Sequence, residues 1–339
     1  GAGLRCREML SVDFLLPAAS DRKGRRTLLN KNPLKQESAM NIIAVVVTYN
    51  RQELLKRNIH CLRQNKPLTS IIVVNNGSTD GTAAWLDQQS DLTVIHQSNV
   101  GGSGGFYTGM QRAYQQGADW VWCMDDDVFP RADCLEHLLA EAGRKDVGIL
   151  APRRLMEGKI FTHDFQEYNL TNPFSSMYGK KLSKQTITAP TEVKGTAFEG
   201  PFIRREVIEK IGLPNKELFI FCDDTDYCLR TVLAGFKILY VPSALMDKEK
   251  FFSNDTWSER SKKKKWKRYY QVRNSTYLNH HYGRNWAVRY LRGFNGVIGY
   301  ILVAFFTCPF SDAWQWGDIA RLWKAYCDGL HERLGIMNR

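Results

Sequence analysis

From Met40 onward, short apolar runs alternate with helical patterns, and this alternation constrains the fold more than any other feature of the chain. The run Ile42–Thr48 reads as a buried strand, followed by a helix at about 51–65 in which Leu54, Leu55, Ile59 and Leu62 share one face. A strand at Ser70–Val74 leads through Asn75-Asn76-Gly77-Ser78 to a helix opening near Thr79. Leu92–Ile95 precedes a glycine loop and a helix to about Gln116, and Asp119–Met124 precedes a helix at 131–143. This order predicts an α/β fold with a Rossmann-like, mostly parallel sheet covered on both faces. Ligands of such sheets bind at the carboxyl ends of the strands. Residues 152–193 read as irregular, a candidate loop over the site. A strand at 194–203, helices at 204–211 and 222–234, a strand at Phe236–Val241 and a helical C-terminal extension follow.

The chain of 339 residues carries 47 Lys and Arg against 35 Asp and Glu, a net charge of +12. By segment, residues 1–39 carry +4, residues 40–254 carry −1 and residues 255–339 carry +9. A nucleic-acid-binding domain would carry its positive charge on the folded core, whereas this pattern predicts a neutral catalytic or binding domain with a basic appendage. Residues 1–39 show no sustained periodicity and read as a leader, an expression remnant or a disordered arm. Met9–Ser20 is apolar but short and has no basic run before it, so it does not read as a secretory signal. The eight cysteines include no C-x-x-C pair and read as small buried hydrophobes in a reducing compartment rather than zinc ligands.

Met124-Asp125-Asp126-Asp127-Val128 is the strongest chemical signal. Three adjacent carboxylates at the end of an apolar strand repel one another unless a cation or hydrogen-bond donors compensate. A hard divalent ion, Mn2+ or Mg2+, suits such ligands together with phosphate oxygens. The competing reading is a solvated acidic turn or helix cap. The apolar Trp120, Val121, Trp122 and Met124 favour the metal. The run Ser98-Asn99-Val-Gly101-Gly102-Ser-Gly104-Gly105-Phe106 opens a helix and would let backbone amides approach a diphosphate. The competing reading is a dinucleotide fingerprint; against it, the first strand ends in Thr48-Tyr49-Asn50-Arg51 without the glycine that fingerprint normally places in the first βα turn. Asp223-Asp224-Thr225-Asp226 follows the apolar Phe219-Ile-Phe-Cys; a partly desolvated carboxylate there can act as general base, although helix starts also use acids as caps.

Together these motifs resemble the inverting GT-A-type glycosyltransferases of family 2 over about 41–250. The matching pieces are Val47–Arg51, Val74–Thr82, the triple aspartate and Asp223-Asp224. The run Asn99–Phe106 with Gly109-Met110 is similar to the galactofuranosyltransferase branch, and rhamnosyltransferases share most of the set. The resemblance implies a nucleotide-sugar transferase domain at 40–254 and a basic, aromatic-rich helical region at 255–339. It implies that Thr48, Arg51, Asn75, Asn99, Gly101, Gly102, Gly104, Gly105, Asp125 and Asp126 line the donor site. It further implies that Asp127 and Asp125 hold the metal and that Asp224, supported by Asp223, is the catalytic base. Family members often carry a metal-binding histidine just after the strand equivalent to Phe236–Val241; here there is none, and either Asp247 substitutes as an oxygen ligand or the metal site is looser than usual. The implied activity is transfer of galactofuranose from UDP-galactofuranose to a glycan or lipid-linked acceptor in bacterial cell-surface polysaccharide synthesis, with dTDP-rhamnose as the alternative donor.

A glycoside hydrolase would also use two carboxylates but has no need of a diphosphate-cradling loop. A non-catalytic nucleic-acid-binding protein would leave both acidic clusters unexplained, so nucleic acid is not an expected partner. The basic aromatic segment Lys262–Tyr270 and the apolar Trp286–Phe310 instead suggest an anionic membrane surface, with a homo-oligomer contact as the competing use. Phe294–Phe310 is interrupted by Asn295, Gly296 and Gly299 and falls short of the roughly 20 residues of a spanning helix. The expected location is the cytoplasm, peripheral on the inner membrane face.

Overall fold

The computed structural model describes residues 40–161, 164–179, 187–250, 256, 259, 262–310 and 313–337. The expectations for residues 1–39 lie outside the described residues, and Met40–Arg339 form one compact unit. Strand β1 (Ile42–Thr48) pairs in parallel with β2 (Ser70–Asn75) and with β4 (Trp120–Asp125), and β3 (Leu92–His96) extends the sheet beyond β2. β1 is buried along its whole length because its alternating side chains enter two cores. Ile42, Ala44 and Val46 pack with Leu55, Ile59 and Leu62 of α1 (Gln52–Gln64). Ile43, Val45 and Val47 pack with Phe106, Met110 and Ala113 of α3 (Gly101–Gln115), which follows the short α2 (Thr82–Leu86).

Beyond β4 the sheet becomes mixed. Its order is β3-β2-β1-β4-β9-β6-β10-β5, with β5 at Val128–Pro130, β6 at Val147–Met156, β9 at Phe202–Arg204 and β10 at Lys237–Lys248. β9 lies antiparallel between β4 and β6, while β6 and β10 are parallel. β7 (Lys159–Ile160) pairs with β6, and β8 (Thr191–Val193) pairs with β10. Helices α4 (Cys134–Leu139), α5 (Arg205–Ile211) and α6 (Asp223–Leu233) complete the α/β layers.

Several expectations change, among them the strand expected at 194–203, which is reduced to the three residues of β9. Residues 147–156 form a ten-residue strand, although Pro152 and Arg153-Arg154 read as the start of an irregular segment. Arg154 tolerates full burial because Asp164 lies 3.2 Å from its Nε and Glu199 accepts from its Nη1. β10 runs past Val241 to Lys248, with a register shift between Val241 and Leu245 beside the Val241–Pro152 pair. The glycine run is helical from Gly101 rather than a loop. A Cβ on Gly105 would stand 2.5 Å from Val47 Cγ1, and one on Gly109 would stand 2.3 Å from Val45 Cγ1. These two glycines therefore let α3 lie close on β1.

The C-terminal region packs α7 (Lys267–Tyr282), α8 (Gly293–Thr307) and α9 (Trp316–Leu330) around Tyr269, Tyr270, Val297, Ala304, Trp314, Leu322 and Tyr326. A π-helical turn at Ala287–Arg292 runs directly into α8. The continuous helix Ala287–Thr307 has 21 residues and is long and apolar enough to cross a membrane, contrary to the shorter stretch expected from the sequence. Glycines 293, 296 and 299 do not interrupt it, and the arginines at its start leave the window sufficiently apolar.

Gly109→Ala is expected to destabilise the protein by about 1–3 kcal/mol through overpacking against β1. Gly102→Ala, which meets nothing within 4 Å, should leave stability unchanged or slightly raised. Paired thermal unfolding of the two variants checks this.

Candidate active site

Because β1 and β4 are parallel neighbours, their carboxyl ends bring Thr48 beside the triple aspartate. Thr48 Oγ1 donates to Asp126 Oδ2 at 2.7 Å, and Arg51 Nη1 lies 3.1 Å from Asp126 Oδ1 and 3.3 Å from Asp127 Oδ2. Both oxygens of Asp126 are thus engaged by the protein. Burial still pushes its carboxyl up to about 6, with Asp127 adding to the rise and Arg51 and Thr48 opposing it.

Asp125 and Asp127 meet Glu199, which the sequence reading missed, with one oxygen of each lying within 4.8 Å of the others. The turn before β9 sets Glu199: Gly200 N donates to Cys123 O at 2.9 Å, and Trp122 Nε1 donates to Gly200 O at 2.9 Å. Lys248 Nζ stands 2.8 Å from Glu199 Oε1 and 3.3 Å from Asp127 Oδ1. Asp247 is not brought to this cluster. The next residue back along β10, it forms a two-pronged pair with Arg131 at 3.1 Å on the exposed side. The inward side chain at the end of β10, where the resemblance leads one to look for histidine, is Lys248.

Three converging carboxylate oxygens fit a hard divalent cation such as Mn2+ or Mg2+. Their charge is incompletely balanced. Burial, then Asp127, Glu199 and Asp126, push the Asp125 carboxyl well above the ordinary range, with Lys248 opposing. Burial would also raise Glu199, but Arg154 and Lys248 outweigh it and hold that carboxyl low.

The second acidic pair opens α6. Phe219, Phe221 and Cys222 all have positive φ, between 65° and 68°, and this left-handed loop delivers Asp223 and Asp224 into a half-buried position. Burial and then Asp224 push the Asp223 carboxyl up. Burial also pushes Asp224 up; Thr225 opposes the rise, Glu199 adds to it and Arg154 opposes it. Glu199 and Arg154 therefore electrically link the two acidic groups. Asp226, the third acid of the run, is instead structural, bonded to Arg230 Nε at 2.9 Å and to the Tyr282 hydroxyl at 2.7 Å.

The loop is held from behind by α7. Asn274 Nδ2 lies 2.9 Å from the carbonyls of Leu218, Ile220 and Phe221, and Arg273 Nη2 lies 3.1 Å from that of Leu218. It is held from the front by the glycine run. Gly101, at φ +79°, is pressed so close to Phe219 that a Cβ would stand 2.0 Å from its carbonyl oxygen. Ser103 N donates to the same oxygen at 3.2 Å. Asn99 Oδ1 accepts from Gly101 N at 2.9 Å, and Asn76 Nδ2 donates to Gly101 O at 3.0 Å. Gly104 is tight against Val100 and Gly105 against Val47, so packing accounts for them; Gly102 alone of the run faces open space. Asn75 accepts from Ser78 N at 3.0 Å and pairs with His96 Nδ1 at 3.0 Å, lining a groove of about 460 Å³ with Gly77, Asp87 and Gln97.

The profile of Glycosyl transferase family 2 matches residues 43–212, half of the chain, and the chain belongs to that family. The galactofuranosyltransferase GlfT1 of Mycobacterium tuberculosis is 29% identical over 204 residues, 58% of this chain and 66% of that relative, just under two thirds of its length. The dTDP-rhamnosyl transferase RfbF of Shigella flexneri is 26% identical over 210 residues, 61% of this chain and 68% of that one. The solved mannosyltransferase PcManGT of Pyrobaculum calidifontis, in complex with GDP-Man and Mn2+, superposes with a TM-score of 0.51 at 14% identity, covering 86% of this chain and 88% of its own. The fold is that of the GT-A glycosyltransferases.

Lys248→Met removes an ammonium that competes for the metal-facing carboxylates, and it is expected to tighten Mn2+ binding severalfold. Asp127→Asn should weaken it by about tenfold or more. Isothermal titration of the purified variants with MnCl2 reads both.

Proposed function

We propose that the protein is a metal-dependent inverting glycosyltransferase that passes a sugar from a nucleotide donor to a hydroxyl of a glycan or lipid-linked acceptor in bacterial cell-surface polysaccharide synthesis. The observation that carries this reading is the pairing of two partly buried acidic groups, Asp125/Asp127/Glu199 and Asp223/Asp224, across the carboxyl edge of one sheet. One group suits a cation and a diphosphate; the other suits a general base. Galactofuranose from UDP-galactofuranose is the favoured donor, supported by the likeness to GlfT1 and the Asn99–Phe106 run. The likeness to RfbF keeps dTDP-rhamnose as the second candidate.

In this reading Asp224 accepts the proton of the acceptor hydroxyl while that oxygen attacks the anomeric carbon from the side opposite the nucleotide, inverting the centre. Asp223 holds a second carboxyl beside it, and their mutual burial sets the proton affinity. Arg51 and Lys248 hold the acidic edge together and keep positive charge close to where a departing diphosphate gains negative charge. A divalent cation held by Asp125, Asp127 and Glu199 would supply Lewis-acid stabilisation of that charge. The loop Phe219–Cys222, clamped by Asn274 and Gly101, keeps the base in place.

Asp224→Asn is expected to lower transfer by roughly 10²–10⁴-fold while leaving the donor-induced thermal shift close to wild type. The raised Asp224 carboxyl must be ionised to act, so kcat/KM should fall as pH drops through a limb above the ordinary aspartate range. That limb should be absent from the residual rate of Asp224→Asn. A screen of UDP-, dTDP- and GDP-sugars with manganese present, reading transfer and thermal shift, tests donor choice. Preferential response to UDP supports the favoured donor, and preferential response to dTDP supports rhamnose. Stabilisation by DNA or RNA in place of any nucleotide overturns the transferase reading.

A further inference from the structure

Helix α8 has no charged residue from Gly293 through Phe310, yet most of its surface faces outward. Only Gly293, Val297 and Ala304 are buried, whereas Leu302, Val303, Phe305, Phe306 and Phe310 are exposed, Phe306 at 67% and Phe310 at 89%. The continuous helix from Ala287 has just 22% of its apolar window buried. A helix that is apolar all round belongs in a protein core or in lipid; this one has a core contact on a single stripe. The exposed surface continues onto α9: Phe305 contacts Trp316 with ring centroids 5.6 Å apart, and Phe294 contacts Trp323 at 6.4 Å. Both tryptophans are exposed.

The surroundings of this face are basic. Lys265 Nζ lies 3.3 Å from Asp318 in the first turn of α9, which ties the segment carrying the exposed Lys262–Lys264 to the start of that helix. Apolar surface that carries exposed tryptophan and is flanked at one end by lysine has the chemistry of a headgroup boundary.

We infer that α8 and the first turn of α9 form a docking surface for an anionic lipid bilayer, lying in its plane with Phe305, Phe306, Phe310 and Trp316 as the inserted groups. The helix lies flat rather than crossing. Val297, Ala304 and Tyr300 are packed into the C-terminal core, Tyr300 with its ring 6.5 Å from Trp314, and Gly293 sits against Thr276 of α7. A spanning orientation would strip the helix from that core. A second copy of the chain is a poorer occupant, because a two-fold contact sets the same basic rim against itself. The inference goes beyond the transferase reading and does not depend on it. If the transferase reading also holds, it places the enzyme where a lipid-linked acceptor lies.

The test is flotation of the full chain with phosphatidylcholine vesicles containing 30% phosphatidylglycerol at 150 mM NaCl, values chosen at roughly physiological ionic strength. Binding should be strong with these vesicles, at least about tenfold weaker with pure phosphatidylcholine, and reduced about tenfold in the double variant F305S/F306S. Both side chains are exposed, so the variant's unfolding temperature and UDP–Mn2+ thermal shift serve as controls for folding and for the donor site. Bilayer-placed quenchers should also dim tryptophan fluorescence in wild type, and less so in Trp316→Ser. Absence of wild-type flotation, or equal flotation of the folded F305S/F306S variant, overturns the inference. So does a concentration-dependent dimer in analytical ultracentrifugation that F305S/F306S abolishes while vesicle binding stays unchanged.

Discussion

The structure depends on an electrostatic constraint: six carboxylates, Asp125, Asp126, Asp127, Glu199, Asp223 and Asp224, share one edge of a largely apolar sheet. Desolvation alone disfavours their ionised forms, and their mutual repulsion adds to it. Arg51, Arg154 and Lys248 compensate in part, each from a different element. Arg51 comes from the start of α1, Arg154 from near the carboxyl end of β6 and Lys248 from the end of β10. The sheet order brings these last two strands to the same edge as β4. What remains is an excess of negative charge, written in the raised Asp125, Asp126, Asp223 and Asp224 carboxyls. A site left short of positive charge is prepared for a cation and for an acid–base step.

The same constraint explains why the C-terminal helices belong to the site although none of their acids enters it. Three residues with positive φ in the stretch Phe219–Cys222 would not hold that conformation unaided. Asn274 and Arg273 of α7 take up the loop carbonyls, and Tyr270 stacks on Phe219 with ring centroids 4.8 Å apart. Asp226 reaches back to Tyr282 at the far end of the same helix. The Arg273-Asn274 dipeptide is thus a fixed support for the acidic pair. Through α7 the support continues into the core that α8 and α9 share.

The first half of the sheet was legible in the sequence because its strands are short, apolar and separated by amphipathic helices; β1 to β4 and their flanking helices lie where the alternation puts them. Thr48, Arg51 and the triple aspartate were legible for a related reason, since parallel neighbours end at the same level. The second half obeys no such local rule. β6 carries a proline and two arginines, a pattern that signals a break, yet it pairs with β7, β9 and β10, and Asp164 and Glu199 neutralise the Arg154 it buries. Glu199 is a lone acid between Phe198 and Gly200, with no spacing to single it out. Its partners in the cluster lie more than seventy positions away and meet it only once β9 has inserted beside β4. The glycine run adds a second demand to the one read from the sequence: whatever its part toward a ligand, the closeness of α3 to β1 and of Gly101 to Phe219 already requires glycine at several of its positions.

The choice between Asp247 and Lys248 shows where such reasoning ends. On a regular strand, successive side chains face opposite ways, so a shift of one residue exchanges the inward and outward sets. β10 contains such an irregularity: Val241 pairs with Pro152, yet Leu245 pairs with Arg153, so three residues of β10 pass without advancing the partner strand. The residues that face inward before the shift therefore give no guide to those that do so after it. Chemistry suggested the aspartate as the ligand, and the bulge instead turns the lysine to Asp127 and Glu199 and leaves the aspartate to Arg131. A bulge is a compromise between two strands and what packs on them, including the proline on the neighbouring strand, and one strand's pattern does not contain it. The identity of the group facing the metal-binding carboxylates is thus set by backbone registry rather than by composition, and a cation built into the chain occupies a place where an acidic ligand was expected.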